Sequence, residues 1–134
     1  MTINRAIRVQ QHSNDTTLSF VDALGEVNNL NGSVRVIYRE NDTVQVVLDI
    51  TRDTCLLRRY GEWITTCYFS KEESWVQINS DEGKLVFEVQ LIKLEVQDDF
   101  VGLSYNLIDN NQIIDSYNYS CSWLEEVKTW QEIH

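Results

Sequence analysis

Two charged side chains stand where an alternating apolar pattern would place another hydrophobe. Glu40 continues the row of Val34, Val36 and Tyr38, and Arg59 continues that of Cys55 and Leu57, although Leu56 leaves the phase of the second row open. A charge inside a protein is costly unless it is paired and hydrogen-bonded. Either the two residues line a polar cavity, or they sit at strand ends and reach water. In the first case the planar Arg59 fork suits a carboxylate or phosphate, because it bonds two oxygens at once. With tyrosines that fall on alternating rows, Arg59, Glu40, Tyr38, Tyr105 and Tyr117 make up the candidate ligand-binding set. Asp22 similarly interrupts Phe20 and Leu24, and Arg5 interrupts Ile3 and Ile7.

Catalytic chemistry finds little support. His12 and His134 are the only histidines, one in an expected turn and one at the terminus, so neither anchors a triad or a metal site. The adjacent carboxylates Glu72-Glu73 and Asp98-Asp99 read as solvated corners, since strand geometry sends neighbours to opposite faces. Cys55 and Cys67 read as small core residues. The five glycines are scattered and form no phosphate-cradling loop. No catalytic residue, metal ligand or cofactor is expected.

The elements that position these residues are strands. Period-two alternation recurs between turn signals at short intervals. Ile3, Ile7 and Val9 mark a first strand ending near His12-Ser13-Asn14-Asp15, and Leu18, Phe20 and Leu24 mark a second. Gly25 to Gly32, rich in Asn and Gly, reads as a loop. The cleanest row is Val44, Val46, Leu48 and Ile50, with Gln45 and Asp49 on the other face. Further strands are expected over Cys55–Leu57, Trp63–Phe69, Trp75–Asn79, Lys84–Val96, Val101–Leu107 and Tyr117–Trp123. In the longest, the row Leu85, Phe87, Val89, Leu91 changes phase to Ile92, Leu94, Val96, which predicts a bulge or sharp bend near Leu91-Ile92. Tight turns leave no room for parallel crossovers, so the strands should be antiparallel, and a barrel removes their exposed edges. Ser122-x-x-Glu125 resembles a capping box, and Trp123, Val127 and Trp130 fall at helical spacing. They predict a short C-terminal helix over residues 122–134, packed on the barrel or covering one mouth.

Composition bounds the rest. A chain of 134 residues with 43% hydrophobic and 24% charged side chains suits a single globular domain spanning residues 1–134. The net charge of −10 opposes a polyanion, and the only adjacent basic pair is Arg58-Arg59, so no nucleic-acid partner is expected. No apolar run is long enough for a signal peptide or a membrane helix. Three irregularly spaced cysteines, Cys55, Cys67 and Cys121, make a poor disulfide framework, and reduced thiols in the cytoplasm are the expectation. Of four Asn-x-Ser/Thr triplets, at Asn14, Asn31, Asn41 and Asn118, the first three read as turns.

From residue 34 onward the order of elements resembles the bacterial YwiB-like family, a domain of unknown function. The features that carry it are Tyr38-x-Glu40, the Thr43 strand, Leu57-x-Arg59-x-Gly61, Gly83 opening a long strand, and Tyr105-x-Leu107. The resemblance implies a calycin-like or lipocalin-like β-barrel and transfers no functional residue. Gly61-x-Trp63 matches the lipocalin Gly-x-Trp motif in type but lies mid-chain; a turn glycine followed by a core tryptophan accounts for it. The expectation is therefore an all-β, closed antiparallel barrel of about eight to ten strands. Its interior would bind a small anionic or amphipathic molecule without catalysis. The competing reading is an interaction or structural module using exposed aromatic surface, for which four Trp and six Tyr leave room.

Overall fold

The computed structural model describes residues 2–13 and 18–126 and consists there of ten strands. These are β1 (Thr2–Ser13), β2 (Leu18–Leu30), β3 (Ser33–Asn41), β4 (Val44–Thr51) and β5 (Cys55–Tyr60), then β6 (Ile64–Phe69), β7 (Ser74–Ser80), β8 (Gly83–Gln97), β9 (Phe100–Asp109) and β10 (Gln112–Glu126). Each pairs antiparallel with its neighbour in sequence, and β1 pairs with β10, so the meander closes into a barrel. The expected fold class is the one that forms.

Alternation explains how the interior fills. On β4, Val44, Val46, Leu48 and Ile50 are buried while the residues between them are half-exposed. The strand registers line such residues up in rows around the wall. Val34, Ile50, Cys55 and Phe69 form one, and Val36, Leu48, Leu57, Cys67 and Val76 form the next. Both are apolar and belong to the hydrophobic core. The third row, Tyr38, Val46, Arg59, Thr65 and Ile78, lies nearest the β3–β4, β5–β6 and β7–β8 turns and is mixed. Polar groups can sit in this row because it borders water, which spares them the cost of full burial.

Bulges fall where the pattern slips. Leu91 faces Tyr105 and Lys93 faces Ser104, which leaves Ile92 unmatched and 60% exposed, at the place the phase change predicts. On β3, Arg39 faces Gln45 and Asn41 faces Val44, so Glu40 is itself the extra residue of a bulge. Ile114 has the same position on β10.

Four expectations need correction. The segment Gly25 to Gly32 is strand through Leu30, and only Asn31-Gly32 turns. Gly25 serves close packing instead of a turn: a Cβ there would come within 2.5 Å of the Ile37 carbonyl oxygen and 2.7 Å of Ile7 Cγ1. On β2 the inward row is Val21, Gly25 and Val27, so Leu24 is exposed and Asp22 points outward to Arg8 at 3.0 Å. Trp63 is 56% exposed beside the β5–β6 turn and is no core residue. The C-terminal helix does not begin at Ser122, because residues 122–126 continue β10, with Trp123 buried opposite Ile7. Local capping propensity of about 1 kcal/mol loses there to ladder pairing and to burial of an indole. The rest of that expected helix, 127–134, lies outside the described residues, as do Asn14, Asp15 and His134.

Two turns match their residue types. Asn41 Oδ1 accepts hydrogen bonds from the Thr43 backbone N–H and hydroxyl, both at 2.9 Å. Asn110 and Asn111 take φ of 53° and 63°, the left-handed pair that a two-residue hairpin requires.

Candidate functional site

All five residues singled out from the sequence meet at one interior cavity of about 220 Å³. It lies toward the end of the barrel that carries the β3–β4, β5–β6, β7–β8 and β9–β10 turns.

Its polar edge is an ion pair. Arg59 projects inward from β5 between Val46 and Thr65, and the β3 bulge brings Glu40 to meet it. Arg59 Nε donates to Glu40 Oε1 at 3.1 Å and Oε2 at 3.2 Å, and Nη2 donates to Oε2 at 3.0 Å. The side chains are 45% and 25% exposed. The two sequence readings therefore merge: the residues lie at strand ends, reach water, and also line the cavity. Hydrogen bonding to the Glu40 carboxylate raises the Arg59 pKa further above its already high value, against a smaller opposing effect of burial.

The floor and one wall are aromatic. Tyr38 and Tyr119 are buried, with their hydroxyl oxygens 2.9 Å apart. Burial pushes both phenols well up, so they remain neutral hydrogen-bonding groups. Tyr105 and Tyr117 face each other across the β9–β10 ladder and stack, with ring centroids 5.4 Å apart and planes at 29°. Tyr105 also packs on Phe69 at 4.8 Å, and burial raises its pKa too. Leu57, Val76, Ile78 and Leu107 supply the apolar remainder. The Cys67 thiol lies on the same wall, its pKa pushed up by burial to about 12.

Gln11, Thr65 and Tyr119 also line the cavity and were missed in the sequence. Each carried a signal: Gln11 follows Ile7 and Val9 on the β1 row, Thr65 precedes Cys67 and Phe69, and Tyr119 shares a row with Tyr117. Arg5 and Asp22, which also broke apolar rows, do not line it. His12 is exposed on β1, and no group of three or more His, Cys, Asp or Glu among the described residues could hold a metal. All three cysteines are free and buried.

Around the same end the surface is unusually apolar. Tyr60, Trp63, Ile64, Leu85, Val86, Ile113 and Ile114 are exposed there, seven of the ten large hydrophobics exposed among the described residues.

The closed, ten-stranded, all-antiparallel meander fits a calycin-like barrel. The model of a domain of unknown function, DUF1934, matches residues 3–120, and the chain belongs to that family. The crystal structure of the ywiB protein from Bacillus subtilis is similar to it with a TM-score of 0.75, covering 96% of this chain and 94% of that one at 13% identity. At that identity the likeness shows the fold, and it agrees with the YwiB-like barrel that the sequence resembles. No curated protein matches the sequence.

Proposed function

We propose that this barrel binds a small amphipathic molecule in its interior and performs no chemistry on it. One observation carries the reading: the five residues singled out from the sequence line a single cavity that is apolar and aromatic along its walls and charged at its edge. The volume of about 220 Å³ lies below the range of roughly 300–1,000 Å³ typical of sites for drug-sized ligands. At roughly 30 Å³ per water, it holds the equivalent of about seven waters, so the guest is compact. Its apolar body would lie against Leu57, Val76 and Ile78, and its polar end would meet the Arg59–Glu40 pair. The free, buried thiols support a reducing, cytosolic setting.

Native mass spectrometry of protein from gently lysed cells, compared with the denatured mass, tests this directly. A reproducible small adduct lost on denaturation is the expected result. A bare chain that also takes up no fragment under titration would overturn it.

The exposed ring of Tyr60, Trp63, Ile64 and Ile113 favours a second reading, an interaction module whose contact face is this end of the barrel. In that case Trp63→Ser together with Ile113→Ser would abolish self-association or partner binding while ligand uptake stays intact. Loss of ligand uptake with association unchanged would count against it.

A further inference from the structure

We infer that the guest is uncharged overall and planar, with a hydrogen-bond donor and an acceptor at one end. This deepens the ligand-binding reading above and rests on it. Among the described residues Arg59 and Glu40 are the only charged ones lining the cavity, and they already satisfy one another through three contacts of 3.0–3.2 Å. An anion would have to displace Glu40 from the guanidinium or crowd in beside it. Either way one negative charge would be left uncompensated in a partly desolvated space. The net charge of −10 on the whole chain makes this worse. A cation meets the converse difficulty, since Glu40 is held by Arg59 and the remaining charge would be positive beside a guanidinium.

A neutral guest meets neither obstacle. Arg59 Nη1 takes no part in the contacts to Glu40, so it can donate to a carbonyl-type oxygen. Glu40 keeps lone pairs that can accept from an N–H or O–H. An amide, a lactam or a heteroaromatic edge offers both groups side by side and joins the ion pair without breaking it. The stacked Tyr105–Tyr117 wall favours a flat ring over a branched aliphatic body, because offset aromatic contacts gain energy beyond their area. The anionic ligand suggested by Arg59 in isolation is disfavoured once its partner is known.

Benzamide, benzoate and benzamidine share a shape and a size that the cavity admits, and they differ in charge. Each is titrated into the full-length protein, with binding read from the amide and methyl NMR shifts of the cavity-lining residues. Fragments this small bind with Kd on the order of 1 mM at ordinary efficiency. Benzamide is expected to shift Leu57, Val76 and Ile78 resonances with an affinity at least about tenfold above those of the two ions, the discrimination a desolvated charge typically gives. In Glu40→Gln, which frees the guanidinium from its counter-charge, the benzoate-to-benzamide affinity ratio should rise about tenfold or more. Benzoate binding as well as benzamide to the wild type, or an unchanged ratio in Glu40→Gln, would overturn the neutral-guest inference and leave the cavity reading standing. If none of the three shifts a cavity resonance, the ligand-binding reading fails and this inference fails with it.

Discussion

Replacing Tyr38 or Tyr119 with phenylalanine removes one hydroxyl from the pair at the cavity floor and leaves the other without its partner. The two residues are 2% and 6% exposed and their oxygens are 2.9 Å apart. A buried polar group left unsatisfied costs about 1–3 kcal/mol, whereas removing both members of a pair is close to neutral. Tyr38→Phe and Tyr119→Phe are each expected to lose about 2 kcal/mol, and the double variant to return to within about 1 kcal/mol of wild type. The implied coupling of about 3 kcal/mol is at the upper end for contacting residues. Urea unfolding can be followed by tryptophan fluorescence, since Trp123 is buried in the barrel and will respond to its opening. With a slope of about 2 kcal/mol per molar urea, each single variant lowers the midpoint by about 1 M, and the double variant recovers at least half of that. Additive losses would refute the pairing. Two neutral single variants would refute the desolvation, because cavity water would then be satisfying each hydroxyl.

Three other outcomes follow from particular positions. Gly25→Ala, whose Cβ would approach the Ile37 carbonyl oxygen to 2.5 Å, should lose about 2–3 kcal/mol in the same urea assay. Gly61→Ala, where the nearest atom is Val44 Cγ2 at 3.3 Å, is the control and should lose much less. At the β9–β10 turn, Asn110→Val forces a β-branched residue to φ 53° and should cost about 1–2 kcal/mol, while Asn111→Gly should be neutral or mildly stabilising by thermal denaturation. Alkaline pH should unfold the barrel. Cys67 and Cys121 are pushed from 9.0 up to about 12 by burial, so the folded state holds protons that the unfolded chain releases. Their contribution is therefore complete below pH 9 and declines as pH rises toward 12, by about 1.4 kcal/mol per pH unit for each thiol. Tyr38, Tyr105 and Tyr119, raised from 10.0, steepen the decline. Circular dichroism across this range checks it, and a stability profile flat from pH 9 to 12 would contradict the burial of these groups.

Strand β4 and the Ile92 bulge were legible because period-two alternation is a direct image of which face is buried. A change of phase can be absorbed only by an extra residue. On β2, residue type alone misleads, because the neighbour decides. Gly25 looks like a turn former in isolation, and only the approach of Ile37 and Ile7 shows why a side chain is excluded. The turn glycine of Gly61-x-Trp63 suggests a core tryptophan after it, whereas Trp63 is exposed at the rim. Ser122 to Glu126 combine a helix-start signal with the alternation of Tyr119, Cys121 and Trp123, and pairing with β1 decides between them. At the site, the sequence marks Glu40 and Arg59 as charges on inward rows. It does not reveal that they satisfy each other across 19 residues, which is the fact that bears on ligand charge.

The position of the cavity follows from how the barrel is filled. In the two deeper rows, aliphatic side chains with cysteine and Phe69 project from opposing strands and occupy the interior. The third row departs from this in composition. Arg59 and Glu40 turn toward one another at the rim, Thr65 is small, and the rings of Tyr38 and Tyr105 are held by partners, Tyr119 for the first and Phe69 with Tyr117 for the second. Space remains beside these side chains at this end of the barrel. That space cannot close by simple collapse, because collapse would bury the ion pair or separate two paired hydroxyls, each at a cost in desolvation. The polar groups thus hold the cavity open as well as lining it. On the proposed reading, a guest that satisfies donor and acceptor together would enter without dismantling what keeps the cavity open, which would tie the chemistry of recognition to the packing of the fold.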